Sequence, residues 1–192
     1  LNFDSVEVVE AHSNVSLALL NKCKHNLINE KLVKKVINIL GLDMDNDYIM
    51  FPDVGSNQRY KNIKYKNTII GNKTRDFETG EIKGLELLGL SEVKSDKVLI
   101  VDDLSSYGGT FVHSAIKLRE QGFKEVYLLV AHAENSIFKG ELFNHVDKVF
   151  TTNSLLTEQE NWENQKFKEQ LHIFDVNRVM LTENKGIINK QG

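Results

Sequence analysis

A run of apolar and β-branched residues, KVLIV at 97–101, ends in two adjacent carboxylates, Asp102 and Asp103, and continues as LSSYGGT through Thr110. Two acids side by side at the end of a buried strand are costly unless hydroxyls, cations or water meet them, which points to a polyol or a metal-bound polyol. Gly108 and Gly109 let backbone N–H groups approach an anion closely, and a helix starting near Thr110 adds the positive end of its dipole. An acid pair with an anion cradle behind it describes a sugar carrying a phosphate. Helix capping by Asp103 or Ser105 would need only one acidic residue, so it leaves the pair unexplained. No Lys follows the glycines, which excludes a Walker-type phosphate loop.

Three other segments hold residues able to act on such a ligand. His12 follows the strand-like VEVV, so its imidazole can reach a metal or a metal-bound water. Asp53 follows a second strand-like run and Pro52, the single proline, which sits where it costs no ladder hydrogen bond. Lys73 and Arg75 flank one threonine in a stretch poor in apolar residues, which reads as a mobile loop. Alone, such a pair reads as a solvated surface loop.

Other constellations fail. Asp43, Asp45 and Asp47 imitate the start of a calcium loop, but Tyr48 stands where glycine is required and Val54 where glutamate is. No G-x-S-x-G occurs and Cys23 falls on an apolar helical pattern, so nucleophilic hydrolysis has no support. His25, His113, His145 and His172 are scattered and read as structural or exposed, while His132 ends a strand.

Short β-branched runs alternate with helical patterns, the signature of a parallel sheet covered by helices. Strands are expected at 6–9, 47–51, 67–71, 97–101, 125–130, 147–150 and 171–175. Helices are expected at 14–24, 30–40, 110–121 and 135–143, with an amphipathic turn at 176–181. Gly41 and Gly122 sit where helices should stop. The polar stretch 157–170 reads as a surface connection anchored by Trp162 and Phe167.

The 192 residues suit one domain with a modest appendage. Lys+Arg 24 against Asp+Glu 27 gives −3, which argues against a chain built to coat nucleic acid or an anionic membrane. One cysteine excludes an intrachain disulfide and a thiolate zinc cluster, and fits a reducing, cytoplasmic setting. No apolar run approaches the ~20 residues that span a bilayer, and the first residues carry no secretory pattern.

VLIVDDLSSYGGT resembles the phosphoribosyl-diphosphate (PRPP) motif of type I phosphoribosyltransferases and of ribose-phosphate pyrophosphokinases, the PRPP synthetases. VEVVEAHSNVSLALL resembles the synthetases' segment with a metal-site histidine, FPDVGSNQRY their pyrophosphate loop, NKTRDFETGE their Lys-x-Arg loop, and KEVYLLVAHA with FTTNSL the stretch after the PRPP motif. His132 matches a histidine of that family, which implies that it borders the site. The resemblance implies an α/β fold of the type I phosphoribosyltransferase kind, a mainly parallel sheet with helices on both faces. It implies one such domain over 1–192, in which 1–12 ends a missing N-terminal half.

The implied reaction is diphosphate transfer from Mg²⁺–ATP to ribose 5-phosphate, giving PRPP and AMP. In it, Asp102 and Asp103 hold the ribose hydroxyls, and Ser106, Tyr107, Gly108, Gly109 and Thr110 the 5-phosphate. His12 and Asp53 hold the metal, Mg²⁺, while Lys73 and Arg75 close over the transferring diphosphate. A homo-oligomer or partner subunit would complete the nucleotide side; neither nucleic acid nor membrane is implied. Synthetases usually carry an acidic residue at the position of Ser106 and a threonine at that of Tyr107, and the serine-rich turn is closer to the transferase version. A phosphoribosyltransferase using PRPP and a nucleobase is therefore the second expectation, and a non-catalytic phosphosugar-binding relative that joins an active synthetase the third.

Overall fold

The computed structural model describes residues 3–75, 82–158 and 163–181. In chain order they form β1 (Val6–Val9), α1 (Asn14–Ala18), β2 (Cys23–Asn26), α2 (Asn29–Leu40), β3 (Tyr48–Phe51), α3 (Val54–Arg59), β4 (Asn67–Arg75) and β5 (Ile82–Leu88). Then come β6 (Lys97–Ser105), α4 (Gly109–Glu120), β7 (Glu125–Ala133), a 3₁₀ turn (Asn135–Phe138), α5 (Leu142–His145), β8 (Lys148–Thr152), α6 (Gln165–Lys168), β9 (Leu171–Phe174) and α7 (Val176–Leu181). The main sheet has the order β5-β4-β3-β6-β7-β8-β9, and only the β4–β5 pairing in it is antiparallel. β1 and β2 pair separately as a two-stranded parallel sheet.

The central strand explains the layering. Val98 and Ile100 of β6 pack with Phe111, Ala115 and Leu118 of α4, whereas Leu99 and Val101 pack with Leu32, Val33 and Val36 of α2. A strand buried on both faces reads as a continuous apolar run, which is why KVLIV shows no alternation. Helices thus cover both faces, as the resemblance implies. β3 leads through α3 to β4 on one side, and β6 leads through α4 to β7 on the other. The crevice beyond β3 and β6 is therefore the switch point at which open α/β sheets place ligands.

Several elements differ from their sequence-based expectations. The helix expected at 14–24 stops at Ala18, because Cys23 to Asn26 leave it to pair with β1; Cys23 is a strand residue. The expected Lys-x-Arg loop is corrected too. Lys73 lies inside β4, paired with Leu85 of β5, a strand absent from the sequence reading. The polar run at 72–75 concealed the end of β4, which its ladder with β5 holds through the backbone. β6 runs on to Ser105, so both aspartates lie within the strand. The helix expected at 135–143 breaks around Gly140, where an added Cβ would lie 2.2 Å from the Tyr107 carbonyl oxygen. Of the two expected anchors, Phe167 is buried, and Trp162 lies outside the described residues. Among the described residues no helix is long and apolar enough to cross a membrane.

Candidate active site

A cavity of about 510 Å³ opens at the carboxyl ends of β3 and β6. His12, Asp53, Lys73, Asp102, Asp103 and the turn Ser106 to Thr110 all line it. The side chain of Arg75 lies outside the described residues. A wider depression of about 910 Å³ behind α3, edged by Lys61, Lys64 and Lys66, contains none of these groups. Chemistry therefore singles out the smaller cavity.

The two aspartates have unlike surroundings. Asp103 is nearly enclosed, and its Oδ2 lies 2.7 Å from both an Arg59 guanidinium nitrogen and His12 Nδ1. The other terminal nitrogen of Arg59 donates to the His12 carbonyl at 2.7 Å, so one guanidinium ties the His12 backbone to the acid pair. Asp102 is more loosely held: its Oδ1 accepts the Asp103 N–H at 3.0 Å and lies 3.9 Å from Arg59. Burial, and after it the charge of Asp103, pushes the Asp102 carboxyl up to about 7. Arg59 and His12 engage Asp103 through Oδ2, and Asp102 is freer to accept hydroxyls.

Helix α3 brings two more groups to this point. Asp53 caps it: Oδ1 accepts the Ser56 N–H at 2.8 Å, and the Asp53 N–H donates to Ser56 Oγ at 3.2 Å. This reciprocal arrangement is a capping box, with Ser in the usual Glu or Gln position. Burial works against ionisation of Asp53, but the Ser56 N–H and the charge of Lys73 outweigh it and hold the carboxyl below its usual range. Lys73 Nζ lies 3.8 Å from Asp53 Oδ2, which joins β4 to the head of the helix. Arg59 ends the same helix, so the capped helix delivers an acid at one end and a cation at the other.

The turn after β6 has the form of an anion cradle. Gly108 sits at φ +82° as the cap of α4, where an L side chain is strained, and its carbonyl accepts from Phe111 and Val112. The N–H groups of Gly109 and Thr110, ahead of those bonds, have no intrahelical acceptors, and both residues line the cavity. Ser106 Oγ lies 3.0 Å from Ser136 Oγ, which in turn donates to Glu134 at 3.3 Å. Tyr107 is 59% exposed at the rim.

Gly140 braces this turn from outside. Gly140→Ala should displace the Tyr107 carbonyl, cost about 1–3 kcal/mol of stability as overpacking does, and weaken inorganic phosphate binding. Chemical denaturation and phosphate titration check this; unchanged values in both would show that the turn is not braced there.

Two histidines lie apart from the cavity. His132 bonds Ser154 Oγ at 2.7 Å and the Val9 carbonyl at 3.1 Å, which makes it a tie between β7 and β1 rather than a border of the site. His25 Nε2 accepts the Ala11 N–H at 3.0 Å. Sequence reasoning missed Arg59. Its only signal was its place six residues after Asp53, within the segment already linked to the pyrophosphate loop.

Comparison with known proteins follows the same line. The ribose-phosphate pyrophosphokinase of Thermoplasma volcanium is 30% identical over 155 residues, spanning 74% of this chain and 51% of its own length. That of Pyrococcus furiosus is 28% identical over 163 residues, spanning 82% of this chain and 56% of its own. The chain is similar to ribose-phosphate pyrophosphokinases over most of its length. No family model matches it. The solved phosphoribosylpyrophosphate synthetase of Mycobacterium smegmatis shares the fold, with a TM-score of 0.67 and 17% identity over 95% of this chain and 60% of its own. The chain spans about half the length of the curated pyrophosphokinases it matches.

Proposed function

We propose that the chain carries the ribose 5-phosphate site of a ribose-phosphate pyrophosphokinase. In the proposed reaction the anomeric hydroxyl of ribose 5-phosphate attacks the β-phosphorus of Mg²⁺–ATP, the bond to the α-phosphate oxygen breaks, and PRPP and AMP form. The observation that carries this reading is the single cavity into which the acid pair, the glycine turn, Asp53 and Lys73 all open.

Each group then has a physical task. Asp102 and Asp103 accept hydrogen bonds from the ribose hydroxyls, and Ser106, Tyr107, Gly108, Gly109 and Thr110 seat the 5-phosphate. Lys73, with Arg75, meets the charge that spreads over the transferring diphosphate. Among the described residues no three His, Cys, Asp or Glu side chains converge on one point. Asp53 offers a carboxylate to the cavity, and magnesium keeps much of its water and is held by one or two carboxylates together with substrate phosphates. Asp53 and His12 are the residues that would face the ion, which arrives with ATP and neutralises phosphate charge. Chain from outside this segment, in the same polypeptide or in a partner subunit, would complete the adenine side.

The test is mass spectrometry of the products formed from Mg²⁺, ATP and ribose 5-phosphate, with PRPP and AMP expected. The serine pair at 105–106 favours a second reading, a phosphoribosyltransferase. Pyrophosphate released from PRPP and a nucleobase, with no AMP formed from ATP, would select it. Binding of phosphosugar without turnover, with a complete synthetase co-purifying, would select a non-catalytic role.

A further inference from the structure

Three polar side chains are buried beneath the acid pair: Glu10 is 2% exposed, and Asn29 and Tyr60 are fully enclosed. Glu10 Oε1 accepts the Asn29 N–H at 2.6 Å, and its Oε2 accepts the Tyr60 hydroxyl at 3.0 Å. Asn29 Nδ2 donates to Tyr60 Oη at 2.9 Å and to the Asp102 carbonyl at 2.6 Å. The connected bonds run from the end of β1 to the backbone of the first acid. β6 stays paired with β7 at Asp102 but has no pairing with β3 beyond Ile100, so Asn29 supplies a hydrogen bond where the β3 ladder has ended.

The arrangement has two costs. Glu10 adopts φ +45°, a left-handed conformation rare for its type, and Asn29 Oδ1 is buried without a partner. Apolar side chains of similar volume could fill this space and are often neutral or stabilising in place of buried polar groups. Strain and unsatisfied polar atoms concentrate where structure serves function. Both costs fall on the groups that reach Asp102.

We infer that Glu10, Asn29 and Tyr60 are positioning residues that fix the Asp102 backbone and so aim its carboxylate at the sugar hydroxyls. The inference rests on the phosphosugar reading above. Burial and the nearby Glu10 charge hold Tyr60 well above the usual phenol range, so its hydroxyl remains a donor. Its ring stacks on Phe51 at 6.1 Å, so Tyr60→Phe removes the hydroxyl and leaves the packing.

The experiment titrates ribose 5-phosphate and, separately, inorganic phosphate into wild type, Tyr60→Phe and the apolar triple Glu10→Met/Asn29→Leu/Tyr60→Phe, with melting curves for each. Loss of one buried hydrogen bond should weaken ribose 5-phosphate binding roughly three- to tenfold in Tyr60→Phe, and more in the triple variant, while phosphate affinity stays within about twofold. If the triple variant fails to fold, Tyr60→Phe alone decides. Sugar affinity within about twofold of wild type in a folded variant, or a parallel fall in sugar and phosphate affinity, overturns the inference. Failure of wild type to bind ribose 5-phosphate overturns the phosphosugar reading itself, and is seen before any variant is made.

Discussion

Lys73→Ala should lower kcat by roughly 10²- to 10³-fold while ribose 5-phosphate affinity stays nearly intact, as the loss of one preorganised electrostatic group typically does. The side chain is only 11% exposed and lies 3.8 Å from Asp53 Oδ2, so the charge is already placed before a diphosphate arrives. In the proposed reading the sugar is held by the acid pair and the glycine turn, and Lys73 is kept for the diphosphate. The effect should therefore appear in turnover rather than in sugar binding. Steady-state AMP formation at saturating ATP, with calorimetry of ribose 5-phosphate, checks it. An unchanged kcat would remove Lys73 from the mechanism.

Asp102→Asn should stabilise the fold at alkaline pH while it weakens sugar binding. The Asp102 carboxyl is raised from 3.8 to about 7 and that of Glu10 from 4.5 to about 7. Between about pH 4 and 7 the folded chain holds these protons and the unfolded chain releases them. Stability must then fall as pH rises through that window and level off above it. Asparagine keeps an oxygen for the Asp103 N–H and carries no charge to desolvate. About 2–4 kcal/mol of the alkaline loss should disappear, leaving the share due to Glu10. Denaturant unfolding at pH 5 and pH 8 measures this. An identical pH slope in wild type and variant would mean that Asp102 is ionised without penalty.

The chemistry was legible where residue types cluster in sequence. The acid pair and glycine turn occupy nine consecutive positions, and the apolar run before them can only be a buried strand, so the central sheet and the site's centre followed together. Arg59 and Glu10 were invisible for the opposite reason. A buried, paired Arg has the same letter as a solvated one, and the partners of Arg59 lie 43 and 44 positions further along the chain, at Asp102 and Asp103. β5 was missed because an edge hairpin needs little burial, and Lys73 therefore read as a loop. His12 and Asp53 followed from strand ends, but Asp53's second task as the α3 cap emerged only when Ser56 was seen to return the bond.

Lys73 projects from a ladder paired with β3 on one side through Ile70 and with β5 on the other from Ile70 onward. Side chains alternate along such a strand, so adding or deleting a single residue would turn the ammonium group to the opposite side of the sheet. The length tolerance normal for surface connections is thus denied to this stretch, and changes in its residue count should be rarer among functional descendants than changes in residue type.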